Sequence, residues 1–231
     1  MADVMAPGEQ AERLVQAVEQ GQSDEVQLLV ESAPALASVR DVSGVSAVLL
    51  ALYHGHRDIA RWLASRRSDL DIFEAAALGD VARVLALLSA DPSLVNAWSP
   101  DGFTALSLAS FFGQLASVRL LITHGSDVNA IGRNPGRYTA LTGAVTAGAV
   151  EIVRELLRHG SDANHRYGPG YTPLHAAAAR GSDEIVRMLV EAGAKPDART
   201  DGGSTPLDVA REKGHTRVVE LLAGRAAGPL K

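Results

Sequence analysis

Apolar positions recur along this chain in short bursts at helical spacing, and a glycine closes each burst. Between residues 172 and 194, Leu174, Ala177 and Ala178 mark one face of a short helix, and Gly181 follows. Ile185, Val186, Leu189 and Val190 then stripe a second helix, which Gly193 stops. Thr172 can cap the first helix through its hydroxyl, and Pro173 sits at the first helical position, where a missing N–H costs nothing. Gly181 suits the left-handed residue that ends such a helix. The pattern predicts two short helices, antiparallel because the turn between them is short.

The same unit recurs along the chain. Glycines between the two helices fall at Gly21, Gly55, Gly79, Gly113, Gly148, Gly181 and Gly214, separated by 34, 24, 34, 35, 33 and 33 residues. The spacing predicts helix pairs over about 12–32, 45–66, 70–89, 104–123, 139–158, 172–191 and 205–223, forming one domain over 10–224. Residues 1–9 read as a flexible N-terminal tail and 225–231 as a C-terminal tail. The first pair is polar on one side and the seventh carries Asp208, Arg211, Glu212 and Lys213, as capping units should. The stretches 32–44 and 90–102 share a proline (Pro34, Pro92), a leucine (Leu36, Leu94) and a glycine (Gly44, Gly102), so both should fold alike, as extended excursions that turn back at the glycine.

A period near 33 and the runs TPLHAAAARG (172–181), TPLDVAREKG (205–214), GSDVNA and GSDANH resemble the ankyrin repeat family. Thr104, Thr139, Thr172, Pro173, Leu174, His175, Thr205, Pro206 and Leu207 carry the resemblance. It implies an all-α repeat solenoid of seven stacked antiparallel helix pairs with β-hairpin or loop fingers. His175 would then tie one repeat to the next by a hydrogen bond. The separation of 24 between Gly55 and Gly79 leaves no room for a hairpin, so one finger should be missing between pairs two and three.

Composition sharpens this picture. Of 231 residues 46% are hydrophobic but only 4% aromatic, so the core must be built from Leu, Val and Ala, which lets thin helices approach closely. The absence of cysteine excludes disulfides, thiol catalysis and thiolate zinc sites. A net charge of −5 counts against a general nucleic-acid binder. No apolar run reaches the ~18 residues of a membrane span and the start lacks a signal-peptide core, which leaves a cytoplasmic address as the default. The basic residues are 19 arginines to 3 lysines, a skew that fits a GC-rich bacterial genome and a bacterial-type member of the family.

No enzyme signature stands out. His124 and His159 end second helices, His56 and His215 follow turn glycines, and no H-E-x-x-H or acidic ladder occurs at ligand spacing. The expectation is a non-catalytic scaffold without cofactor or metal. Resemblance places partner contacts on the finger tips and on the positions before the inter-helix glycines. The candidate binding residues are therefore Tyr53, Trp98, Asp101, Phe103, Phe111, Phe112, Arg133, Arg137, Tyr138, Arg166, Tyr171, Arg180 and Arg199. Trp98, Phe103, Phe111 and Phe112 gather beside the missing finger, where they either form a binding hot spot or fill the gap as core. Arginines interleaved with tyrosines suit an acidic protein partner. Two alternatives stand beside protein binding: a regulatory subunit or small-ligand binder using the notch near Phe111, and nucleic-acid binding through the Arg/Tyr stripe. The chain reads as a monomer, with self-association through exposed aromatics as the other outcome.

Overall fold

The computed structural model describes residues 7–226. Fourteen α-helices follow one another as seven antiparallel pairs: α1 (Pro7–Glu19) and α2 (Ser23–Ser32), α3 (Ala47–Tyr53) and α4 (Arg57–Ser65), α5 (Ile72–Leu78) and α6 (Val81–Ala90), α7 (Ala105–Phe111) and α8 (Leu115–Thr123). The remaining pairs are α9 (Ala140–Ala147) and α10 (Val150–Arg158), α11 (Pro173–Arg180) and α12 (Asp183–Glu191), and α13 (Pro206–Glu212) and α14 (Thr216–Ala226). The expected all-α repeat solenoid is therefore present. Two boundaries move. Helix α1 already includes residues 7–9 and α14 runs to Ala226; the rest of the two expected tails, 1–6 and 227–231, lies outside the described residues. Among the described residues no helix is long and apolar enough to cross a membrane.

Each repeat is fixed by local chemistry. The threonine oxygens of Thr104, Thr139 and Thr205 accept the N–H groups of Ser107, Thr142 and Asp208, capping α7, α9 and α13. The backbone N–H groups of Thr139, Thr172 and Thr205 donate in turn to the side chain three residues on, at Thr172 to Nδ1 of His175 at 3.1 Å. The opposite ring nitrogen of His175 donates to the Ser204 carbonyl at 3.0 Å, the tie between repeats that the resemblance implies. The first helices of pairs three and six end on glycines in the left-handed region, Gly79 at φ 81° and Gly181 at φ 74°.

Neighbouring units are laced by two regular ladders. A side chain of one repeat covers the turn glycine of the preceding repeat and donates to the carbonyl two residues before it: His56 to Glu19, Gln114 to Ala77, Arg180 to Thr146 and His215 to Ala179. On the opposite edge Asn96, Asn129 and Asn164 each donate to a glycine carbonyl of the following unit and accept a backbone N–H from it. Both ladders satisfy helix-end groups that would otherwise be orphaned.

The excursions at 32–44 and 90–102 fold alike, but they are not extended throughout. Each opens with a 3-10 helix, Pro34–Ser38 and Pro92–Asn96, because proline presets the φ of a first helical turn. Each then turns at Gly44 or Gly102 and closes on one antiparallel bridge, Arg40 with Ser46 and Trp98 with Thr104.

Between α4 and α5 only residues 66–71 intervene. Glu74 stands where His175 stands in the sixth pair, and like it accepts the backbone N–H of its cap residue, here Asp71 at 2.9 Å. Its other oxygen pairs with Arg67 at 2.6 Å, and Glu74 is fully buried. Arg67 also holds Asp69 at 2.9 Å, which keeps that carboxyl below its ordinary range. A buried ion pair thus occupies the place of the missing finger.

Candidate functional site

The loops that precede the first helices of the pairs, together with those helices, line a groove of about 800 Å³. Its outer wall is a row of rings carried by successive fingers. Phe103 stacks with Tyr138 at 6.4 Å, Tyr138 meets Tyr167 at 5.4 Å, and Tyr167 meets Tyr171 at 6.3 Å. The floor consists of Ser107, Leu108 and Phe111 on α7, Gly143 and Thr146 on α9, and Ala176 and Ala179 on α11. Depth comes from the floor residues. Where α7 presents Leu108 and Phe111, the equivalent places on α9 and α11 hold Gly143, Thr146, Ala176 and Ala179, so the floor drops by most of a side chain.

The groove's ends are polar. Near the missing finger, Tyr53 donates to Oδ2 of Asp101 at 2.5 Å, reaching from α3 to the loop before α7. Ser99 donates to the other carboxylate oxygen at 2.5 Å and accepts the Phe103 N–H. Burial and this acidic neighbour hold the Tyr53 hydroxyl far above the ordinary range for tyrosine, so it stays protonated as a donor. Burial likewise lifts Tyr167, to about 12. At the other end Arg180 lines the groove while one of its nitrogens donates to the Thr146 carbonyl.

Of the expected contact residues, Tyr53, Asp101, Phe103, Phe111, Tyr138, Tyr171 and Arg180 line this groove. Phe112 does not. It is only 7% exposed and packs against Tyr53 at 5.7 Å within the N-terminal core, whereas its neighbour Phe111 is 41% exposed. Phe112 is therefore part of the N-terminal core, and Phe111 the surface ring. Trp98 lies outside the groove, with the Arg133 guanidinium stacked 4.5 Å from its ring centre. Arg137, exposed and at φ 54°, also stands off the groove, and its carbonyl accepts from His165. Arg166 pairs with Asp201 at 3.0 Å and donates to the Arg199 carbonyl, while Arg199 donates to the Gly203 carbonyl. The arginine stripe is thus largely engaged in holding fingers together. Gly143, Ser107, Leu108 and Ala176 escaped the sequence reading because small and aliphatic residues carry no chemical signal. The one available clue was a glycine in the middle of a helix, Gly143, which helix propensity disfavours.

His175 is fully buried, and burial lowers its pKa, so it serves as a neutral hydrogen-bond bridge. Among the described residues no group of three or more His, Asp or Glu side chains could hold a metal ion.

Comparison with known proteins agrees with this architecture. The family described as Ankyrin repeats (3 copies) matches residues 72–167 and 144–229. A protein named Probable E3 ubiquitin-protein ligase XBOS31 from Oryza sativa subsp. japonica is 42% identical over 71 residues, 30% of this chain and 16% of that protein. Ankyrin repeat and SAM domain-containing protein 6 from Rattus norvegicus is 34% identical over 90 residues, 35% of this chain and 10% of its own length. Palmitoyltransferase akr1 from Schizosaccharomyces pombe is 41% identical over 61 residues, 26% and 10% of the two chains. The chain thus matches between a tenth and a sixth of these relatives' lengths, and all three are eukaryotic, which lends no support to a bacterial origin. With stacked helix pairs, threonine caps and a family match over most of its length, the chain belongs to the ankyrin repeat family.

Proposed function

We propose that this protein is a non-catalytic interaction module that seats part of a partner protein in the concave groove between finger rings and inner helices. The observation that carries the reading is the groove itself: about 800 Å³, walled by Phe103, Tyr138, Tyr167 and Tyr171 and floored by small residues. Rigid aromatic rings around a concave surface supply binding energy at low entropic cost. The ligase and transferase names of the relatives do not transfer, because the matched stretches are a small share of those proteins. Hydrogen bonds orient Asp101 and Arg180 at the groove, and Arg166 nearby is paired with Asp201. That pairing, with the acidic net charge, weighs against nucleic-acid binding. A cytoplasmic monomer remains the setting assumed.

Affinity capture from the native cell tests this reading. Phe111→Ala, or Ala176→Leu to fill the floor, should abolish recovery of the partner while thermal unfolding changes by no more than a few degrees. Undiminished recovery with both variants would move the contact surface elsewhere. A second reading, a small apolar ligand in the same groove, draws on the volume, which lies within the range of small-molecule sites. It predicts a bound compound released on denaturing the purified protein.

A further inference from the structure

We infer that the groove reads an extended segment of its partner with fixed charge polarity: a basic residue at the Asp101 end, apolar side chains in the middle and an acidic residue at the Arg180 end. The inference rests on the groove reading above and adds to it the chemistry of the occupant.

Among the residues lining the groove only Asp101 and Arg180 are an acid and a base; Asp101 stands in the loop before α7, and Arg180, from α11, lays its guanidinium over Gly148 at the end of α9. Neither is neutralised. Both Asp101 oxygens accept from hydroxyls, those of Tyr53 and Ser99, which orient the carboxylate and leave its charge intact. Arg180 donates to a backbone carbonyl, and among the described residues it has no carboxylate partner. Two other arginines near the loops differ from this pair, since Arg166 is matched by Asp201 and Arg40 by Asp71. An anion and a cation left unpaired across an apolar trough favour a complementary occupant and repel the reversed one.

Scale supports a short peptide. Asp101 precedes α7, while Arg180 reaches back from α11 to lay its guanidinium over Gly148 at the end of α9, so about one repeat step and the length of one inner helix, together ~15 Å, separate the two charges. An extended chain covers that span with about five residues. Successive side chains alternate, so two or three of them would enter between the rings and the floor of Gly143, Ala176 and Ala179.

The test uses the whole protein to select from random seven-residue segments displayed on phage, followed by fluorescence anisotropy on acetylated, amidated versions of the enriched sequences. Enriched segments should carry Lys or Arg at one end, aromatic or aliphatic residues centrally and Asp or Glu at the other end. Asp101→Asn, which keeps an acceptor for Tyr53, should weaken the selected peptide about fivefold by removing one exposed charge pair. Arg180→Glu should turn the acidic preference at that end into a basic one. Enrichment of apolar segments without charge order, but lost in Ala176→Leu, would overturn the polarity inference and leave the groove reading standing. No enrichment, or peptides that bind Ala176→Leu as well as the unaltered protein, would overturn both and favour a small molecule as the occupant.

Discussion

Two adjacent phenylalanines show how much a single residue's surroundings decide. Phe112 is buried against Tyr53 and the N-terminal core, so Phe112→Ala should cost about 3–5 kcal/mol, measured by denaturant unfolding. Phe111→Ala should cost far less and act on binding instead. Sequence could not separate them, because both precede Gly113 and their phase depends on how the short helix α7 packs beside α5. Gly143 argues the same point from the opposite side. A methyl added there would lie 3.4 Å from the Phe111 Cβ, an ordinary contact, so Gly143→Ala should stabilise helix α9 by about 1 kcal/mol. A residue that costs helix stability and could be replaced without a clash is better explained by the depth it gives the groove. His175 brings pH into the residue scale. Its folded-state pKa is depressed below the ordinary 6.5, so the folded protein resists binding the proton that the unfolded chain accepts. Its contribution is complete above about pH 6.5 and is lost as the pH falls towards its folded value. Comparing the stability of His175→Asn with the unaltered protein between pH 7.5 and 5 should show a difference that shrinks on acidification.

Among the elements, the helix pairs were legible from the chain alone because they rest on local signals: an apolar stripe, a glycine free to take positive φ and, in the last four pairs, a threonine cap. The 3-10 openings at Pro34 and Pro92 were not, since proline fits the start of such a turn and an extended strand equally well. The shortened connection at 66–71 was foreseen from spacing, but its replacement by a buried ion pair was not. Nothing in SRRSDLDIFE says that Arg67 turns inwards to Glu74, because that requires the stacking of α5 on its neighbours. The pairing carries a sharp consequence. Arg67→Ala leaves a fully buried carboxylate with no cation, which should cost about 3–5 kcal/mol, well above the effect of removing an exposed arginine such as Arg61. Glu74→Gln, which retains a carbonyl to accept the Asp71 N–H, should do less damage, and denaturant midpoints of the three variants would rank accordingly.

At the scale of the molecule, the apolar interior consists of two clusters, and α5 is where they part. One runs from Ile72 through Leu222 along the pairs from the third to the seventh; the other joins the first two pairs with Ala77, Leu108 and Phe112. Helix α5 gives Ile72, Ala75 and Ala76 to the first cluster and Ala77 to the second, and it touches α3 less than it touches α7. The seam coincides with the missing finger. The contacts that cross it include Phe112 on Tyr53, Tyr53 on Asp101 and Arg40 on Asp71, beside the packing of Ala77, Leu108 and Phe73 on the N-terminal cluster. In a repeat array stability is close to a sum of unit and nearest-neighbour terms, so a weak interface sets the boundary of a cooperative block. Phe112→Ala removes the largest of these contacts. Hydrogen exchange on that variant should then show protection falling steeply in α1 to α4 while α9 to α14 keep theirs. Denaturation followed at Trp62 in the N-terminal block should precede loss of the bulk helical signal, two transitions where the unaltered protein gives a closer pair. A single transition with uniform loss of protection would mean that the interior unfolds as one body and that the seam is structural detail without energetic weight. The groove straddles this seam only at its Tyr53 end, so a partner that engages Tyr53 and Asp101 would bind both blocks at once. Its addition should therefore raise the N-terminal transition of the variant more than the C-terminal one, tying the missing finger, the charge at Asp101 and the docking of the partner to one mechanical feature of the chain.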